Sequence, residues 1–400
     1  MANEIHSAAA ETAVVKTARK LLNWLIDDAL PVWSTKGADR KYGGFYEALE
    51  LQTSEGCQVP KRARVQPRQI YGFIEAGRLG WNGPVRELVA AGLDWYLEHY
   101  GLEDGLIAAA VAPDGALIDG SFDLYNHSFA LFGMSQAAEV LPERKTELLA
   151  RSRDMLAMLR LQYGHANSGF REKNPDEAPL CSNPHMHMLE AALALEQIDA
   201  DGPWLALSNE IAGLAMDCFI DPVSGGLREF FDLDWSPMPD DRGRVMEPGH
   251  QFEWAWLLVK WGTLRSDAKA LQMARRLYQI GETRGIDTDR QVAIMALNDD
   301  FSVRDPLARL WGQTEWIKAA VALAAHSTGI EREAYLKDIV RSSDALFLYF
   351  DAAPTGLWKD KLRQDGSFVD EPAPASSFYH IVCAIAELDR FAKTLVPAEN

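Results

Sequence analysis

Five polar residues recur along the chain at intervals of about 60: Arg68, His127, His187, His250 and His380. The last interval is double, and the skipped repeat offers Arg309, Trp311 and Glu315 at the matching place. Each of the five stands where a long apolar run begins. An imidazole titrates near neutrality, so it can take or give a proton under ordinary conditions. A guanidinium stays charged and can hold a developing oxyanion. If the five segments are equivalent helices around one hollow, these groups converge at its mouth. Convergent polar groups at an apolar cavity make the default site.

The neighbours of these residues refine the set. His185 and His187 are about 200° apart around a helix, so only one can face the cavity. His187 matches the repeat, and Asn183 shares its face one turn earlier. Glu253 follows His250 by three and can sit beside it, orienting the imidazole or binding a hydroxyl. In the second repeat Tyr125 and His127 are equal candidates for the inward position. Trp311 and Trp358 are expected to line a sugar-binding face, and Trp254 and Trp256 to lie in the core. Lys61, Arg62, Arg64 and Arg68 form a basic cluster expected at the entrance. No two His share a helix face with an acid nearby, apart from the His250–Glu253 pair, so no resident metal is expected. No P-loop or GxGxxG occurs, which leaves nucleotide binding and a nucleotide cofactor without support.

The elements that must position these residues are helices. About twelve segments carry apolar residues at helical spacing, near 11–30, 66–80, 84–100, 124–139, 142–160, 183–198, 203–220, 248–263, 266–282, 305–325, 331–349 and 376–394. The even-numbered segments are apolar nearly all round and read as inner helices. The odd ones have a charged face and read as outer helices. Glycine-centred segments at 43–50, 104–117, 168–173, 225–235 and 355–368 read as small β-hairpins linking outer to inner helices. Six units of outer helix, hairpin and inner helix close most simply into an (α/α)6 barrel, an all-α toroid. One domain over residues 1–400 is expected, since no flexible linker interrupts the pattern.

Composition bounds the partners. The 58 acidic against 40 basic residues leave a net charge of −18, which repels nucleic acid and anionic membrane surfaces. The four Cys lie far apart, as suits a reducing compartment. No signal-like N-terminus or apolar run of membrane-spanning length is present, so a cytoplasmic protein is expected, as a monomer or homodimer.

The segments VQPRQIYGF, NPHMHMLEA, EPGHQFEWAWLL, ARLWGQTEWIKA and SSFYHIVCAIAEL together resemble the N-acylglucosamine 2-epimerase family, over essentially the whole chain. Two of them look most like its mannose isomerase and phosphomannose isomerase-like branch. The resemblance implies an (α/α)6 barrel acting on a reducing sugar without metal or redox cofactor. It places the essential arginine at Arg68, the histidines at His187, His250 and His380, and an acidic partner at Glu253. Sugar contacts fall on Tyr125, Asn183 and Trp311. Where some relatives have an amide, this chain has Ser376.

Isomerisation and 2-epimerisation both begin by taking a proton from C2 of an open-chain aldose. His380 is expected as that base, His250 as its opposite-face or ring-opening partner, and His187 as a binding or ring-opening group. Arg68 would hold the enediolate. The expected reaction is D-mannose to D-fructose, with a 2-epimerase as the alternative. Two other classes compete. A glycoside hydrolase would need a carboxylate pair, for which only Asp123 and Glu253 offer themselves, and it leaves the His pattern unexplained. A non-catalytic binding protein would not need Arg68, His250 and His380.

Overall fold

The computed structural model describes residues 2–396. Helix α1 (Ala2–Asn23) continues through π-helical turns at Trp24–Ala29 and Trp33–Gly37. Next come α2 (Val65–Arg78), α3 (Val85–Tyr100), α4 (Leu124–Val140) and α5 (Lys145–Tyr163). Then follow α6 (Ser182–Ile198), α7 (Trp204–Leu214), its π-helical end Ala215–Phe219, and α8 (Pro248–Arg265). The last four are α9 (Ala268–Gly285), α10 (Leu310–Ala325), α11 (Gly329–Asp351) and α12 (Ser376–Leu395).

Burial separates the helices into two layers. On α8 every residue from Pro248 to Val259 is buried, because one face meets the lumen and the other the outer helices. On α5 only Leu148, Ser152, Met155, Leu156 and Leu159 are buried, a single stripe at helical spacing. The even-numbered helices pack in sequence, α2 on α4, α4 on α6, α6 on α8, α8 on α10 and α10 on α12, and α12 returns to α2. The inner ring is therefore closed, and the architecture is the expected (α/α)6 barrel. Helix α10 starts at Leu310, later than the pattern suggested, because Pro306 interrupts the segment and Ala308–Arg309 is extended.

The linking segments carry the expected short hairpins, as strand pairs at Ile286–Asp287 with Val292–Ala293 and Ala296–Leu297 with Val303–Asp305, and as single bridges such as Gly164 with Phe170 and Ile220 with Leu227. Most of their strands are two residues long, and several also pair between neighbouring repeats. Leu180–Cys181 pairs with Phe230–Phe231, and Ala308–Arg309 with Lys361–Leu362. Lys61–Arg62 pairs with Ala110–Val111, which also forms a true hairpin with Leu117–Asp119. Ala48–Leu49 joins Ala373–Pro374, stitching the first repeat to the last. A two-residue hairpin has too few bonds and too little buried face to stand alone. Cross-repeat pairing places all these loops at the end of the barrel where the inner helices begin.

Trp358 departs from its expected place. It is fully buried and stacks on Trp33, with ring centroids 4.5 Å apart, and on Phe378, so it belongs to the core beneath the loops. Trp254 and Trp256 are core residues, as expected. Among the described residues no helix is long and apolar enough to cross a membrane.

Candidate active site

Two different registers are superposed at the start of the inner helices. In the first, a side chain reaches back to clasp the loop before its helix. Gln66 Oε1 accepts from Phe45 N–H at 2.8 Å, and Gln251 Oε1 from Leu227 N–H at 2.8 Å. Gln313 does the same for Ala293, while His127 Nε2 accepts from Ile107 N–H at 3.2 Å and His185 Nε2 from Phe170 N–H at 3.0 Å. The loop glycines are shaped for this contact: Gly169 has φ +77°, and a Cβ there would lie 2.8 Å from His185 Nε2. His127 and His185 are therefore loop clasps, with burial lowering each to a pKa of about 4. This corrects the alignment of His127 with Arg68.

The second register lies two residues further on, about 200° around each helix, and faces the lumen. It runs Arg68, Phe129, His187, Glu253, Glu315 and His380. One turn earlier on the same face stand Arg64, Tyr125, Asn183, Trp311 and Ser376. All eight residues singled out in the sequence, Arg68, Tyr125, Asn183, His187, His250, Glu253, Trp311 and His380, line one cavity of about 460 Å³ at this end of the barrel. Tyr125, not His127, is the inward residue of its pair. Its hydroxyl bonds Arg68, whose guanidinium lies 4.1 Å from the Phe129 ring centroid. The Trp311 indole lies between two imidazoles, with centroids 5.0 Å from His250 and 6.0 Å from His380.

Three histidines are each held at Nδ1 by a carboxylate, which leaves Nε2 free for the cavity. His380 Nδ1 is 2.8 Å from Glu315 Oε1, His250 Nδ1 is 3.0 Å from Glu229 Oε2, and His187 Nδ1 is 3.3 Å from Glu190 Oε2. Such a carboxylate fixes the tautomer and ring orientation of its imidazole. The pairs differ in charge. Burial, with the positive charges of Arg68 and Lys318 nearby, pushes His380 well below the ordinary imidazole value, so it stands neutral. His250 is also buried, but the negative charges of Glu229 and Glu247 outweigh that and raise it to about 10, so it stands protonated. His187 is lowered by burial. Burial opposes ionisation of Glu190, yet the His187 hydrogen bond and the Lys318 charge bring it down to about 2.

Glu253 is not the partner of His250. A helical side chain leans toward the helix N-terminus, so His250 turns back to Glu247, 3.6 Å from Nδ1, and across to Glu229 on the preceding loop. Glu253 faces the lumen, where its Oε1 has no hydrogen-bond partner among the described residues. Asn183 Oδ1 is in the same condition; both oxygens are buried, and Glu253 Oε1 lies 3.6 Å from the ammonium of Lys318. The basic cluster also divides. Arg62, Arg64 and Arg68 line the cavity. Lys61 is buried away from it, with its ammonium 2.8 Å from Asp39 and capped by the Gly43 and Pro113 carbonyls.

A larger cavity, of about 990 Å³, opens at the other end of the barrel, where the inner helices finish. Its charges largely neutralise each other: Arg390 bonds Glu75, Arg78 bonds Glu75 and Glu139, and Lys260 bonds Glu387. Between the cavities, ligand-type atoms of Glu253, Glu315 and His380 gather within 4.8 Å, and so do those of His187, Glu190 and Glu253. A cation suits such a cluster. The fully buried Lys318 ammonium provides one, 2.6 Å from Glu315 and 3.6 Å from Glu253.

The sequence profile of the N-acylglucosamine 2-epimerase (GlcNAc 2-epimerase) family matches residues 43–384. Over 380 residues the chain is 50% identical to the mannose-6-phosphate isomerase of Rhizobium meliloti (strain 1021), covering 94% of this chain and 98% of that protein. Among solved structures, a D-mannose isomerase superposes with a TM-score of 0.81 at 19% identity, over 93% of this chain and 97% of that one. Cellobiose 2-epimerase from Bacillus thermoamylovorans B4167 gives 0.80 at 18% identity, over 93% and 99%. At these identities the two structures speak to the fold. The family profile speaks to the kind of chemistry: this is an enzyme of sugar isomerisation or epimerisation, and the chain belongs to the N-acylglucosamine 2-epimerase family.

Proposed function

We propose that the chain is a metal-independent aldose–ketose isomerase that interconverts D-mannose, or a close aldose, and D-fructose. The observation that carries this reading is the pair of histidines on either side of Trp311, one neutral and one protonated, in a cavity that Arg68 also lines. Groups whose surroundings push their pKa values apart divide into base and acid. His380 Nε2 takes the C2 proton of the open-chain aldose, and the electron pair of the broken C–H bond moves into the C1–C2 bond. The enediolate oxygen is held by the guanidinium of Arg68. The imidazolium formed on His380 then gives its proton to C1, the hydroxyl proton on O2 passes to the O1 oxyanion, and the C2 oxygen becomes the ketone. His250, as an imidazolium, supplies the acid for ring opening, with His187 alongside. Tyr125, Asn183, Glu253 and Trp311 bind the sugar. The whole chain, 1–400, acts as one catalytic unit.

Relatives named as isomerases favour the ketose product. A 2-epimerase is the second reading, because a protonated His250 could return a proton to the opposite face of C2. The substrate is read as unphosphorylated. Arg62 is bonded to Glu47, Arg64 to Asp123 and Arg309 to Asp360, and Glu229 and Glu247 also line the cavity. A phosphate would have to displace a carboxylate from its arginine. Incubation with D-mannose and with mannose 6-phosphate in deuterated water, followed by NMR, tests all three points. Fructose labelled at C1 is expected from the free sugar. Glucose alone would overturn the isomerase reading, and turnover of only the phosphate ester would overturn the substrate reading.

A further inference from the structure

The geometry points to Lys318 as a positioning residue that keeps the His380–Glu315 pair in its base form, with neutral imidazole and ionised carboxylate, from beneath the cavity floor. This inference rests on the proposed role of His380. Lys318 does not line the cavity and cannot touch a sugar. It is fully buried, with its ammonium 2.6 Å from Glu315 Oε2 and 3.6 Å from Glu253 Oε1, and 3.7 Å from the Trp256 ring centroid. Glu315 uses its other oxygen, Oε1, to hold His380 Nδ1 at 2.8 Å. One carboxylate thus spans the base on its cavity side and a built-in cation on its floor side.

The groups around the ammonium come from four inner helices. Glu315 lies on α10 itself and Glu253 and Trp256 on α8. Glu190 lies on α6, and Tyr379 and Cys383 on α12. Arg68 of α2 and His187 of α6 act on His380 from the cavity side. Three buried carboxylates within one cluster cannot all stay ionised without compensation, since like charges raise each other's proton affinity. Burying an ammonium is itself costly unless it is paired. The two needs meet at this point. Lys318 opposes the effect of burial on both Glu315 and Glu253, and also disfavours a second positive charge on His380. Taking this cation away raises every proton affinity around it. The pair then binds a proton at a pH where the native enzyme holds none, and the base is lost whichever atom carries that proton.

Lys318→Met, Lys318→Arg and the double variant Lys318→Met/Glu253→Gln test this. The first readout needs no substrate: the ring resonances of His380 followed by NMR against pH in the full-length protein. In Lys318→Met the protonation of the pair should move up by about one to two pH units. Lys318→Arg should stay near the native titration. The double variant removes one negative charge with the positive one and should return toward the native value. The second readout is kinetic: in Lys318→Met the acid limb of kcat should shift upward with it, with KM changed less than about threefold, since no sugar contact is lost. A folded Lys318→Met with unmoved His380 resonances would overturn the inference. If Lys318→Met does not fold, the double variant decides, because a displaced titration there is equally fatal. If the native enzyme turned over no hexose while these resonances still moved, the reaction assigned above would fail and the role of Lys318 would stand.

Discussion

The His380 and His250 sites share one motif and differ in charge, the first neutral and the second protonated. In each, a buried imidazole on an inner helix gives Nδ1 to a glutamate and presents Nε2 to the cavity. His380 has one carboxylate partner, and that carboxylate is shared with Lys318, with Arg68 also close. His250 has two, Glu229 and Glu247, and Glu247 is itself raised by burial to about 7. The histidine–glutamate pair therefore orients the ring, and the next charges outward decide whether it carries a proton. A base and an acid can be made from the same two residue types on either side of one indole.

The harshest way to break the comparison is to remove the base. His380→Ala should reduce exchange of the C2 proton with solvent deuterium by about 10³-fold, while His250→Asn should leave more of that exchange intact. Measuring both by NMR separates the roles. Equal losses would mean that the two sites are not differentiated.

A milder change sharpens it. Glu229→Gln keeps the hydrogen bond and removes a charge, and should lower kcat by about 10–100-fold at alkaline pH. The sign follows from the raised pKa of His250. Its protonated form, and the stability that form contributes, is fully present below the ordinary imidazole value and is lost as pH rises through about 10. The native kcat should therefore fall on that alkaline side. In Glu229→Gln the fall should begin at lower pH, because one of the two charges holding the proton is gone. An unmoved alkaline limb would remove His250 from the acid role.

The cavity-lining residues were legible because polar groups stand at the start of runs that are otherwise apolar. Arg68, His187, His250 and His380 were found in that way, and the period of about 60 pointed to a closed ring. What escaped is set by contacts distant in sequence. Glu229 follows a glycine turn in a loop with no periodicity of its own, and only pairing with the Leu180–Cys181 segment brings that loop to His250. Glu190 and Lys318 sit one turn deeper in apolar helices, where an isolated charge reads as reaching out to solvent. Glu315 and Lys318 at i and i+3 in one buried helix were the available signal. Trp358, with glycine and polar neighbours, resembled a sugar-facing aromatic, yet Trp33 and Phe378 cover it from remote segments.

The smallest expected effect separates the cavity histidines from the clasping ones. His127 accepts Ile107 N–H with Nε2 and gives Nδ1 to the Asp123 carbonyl, and its position in the repeat is occupied by glutamine in three other units. A glutamine offers the same acceptor and donor at similar reach. His127→Gln should therefore leave kcat within about twofold and cost less than about 1 kcal/mol of unfolding free energy. His127→Ala leaves the buried Ile107 N–H unsatisfied and should cost about 1–3 kcal/mol, read by denaturant unfolding, again with little change in the chemistry. If His127→Gln instead abolished turnover, the division into a clasping and a catalytic register would be wrong. The charge contrast between His380 and His250 would then have to be extended to a third imidazole.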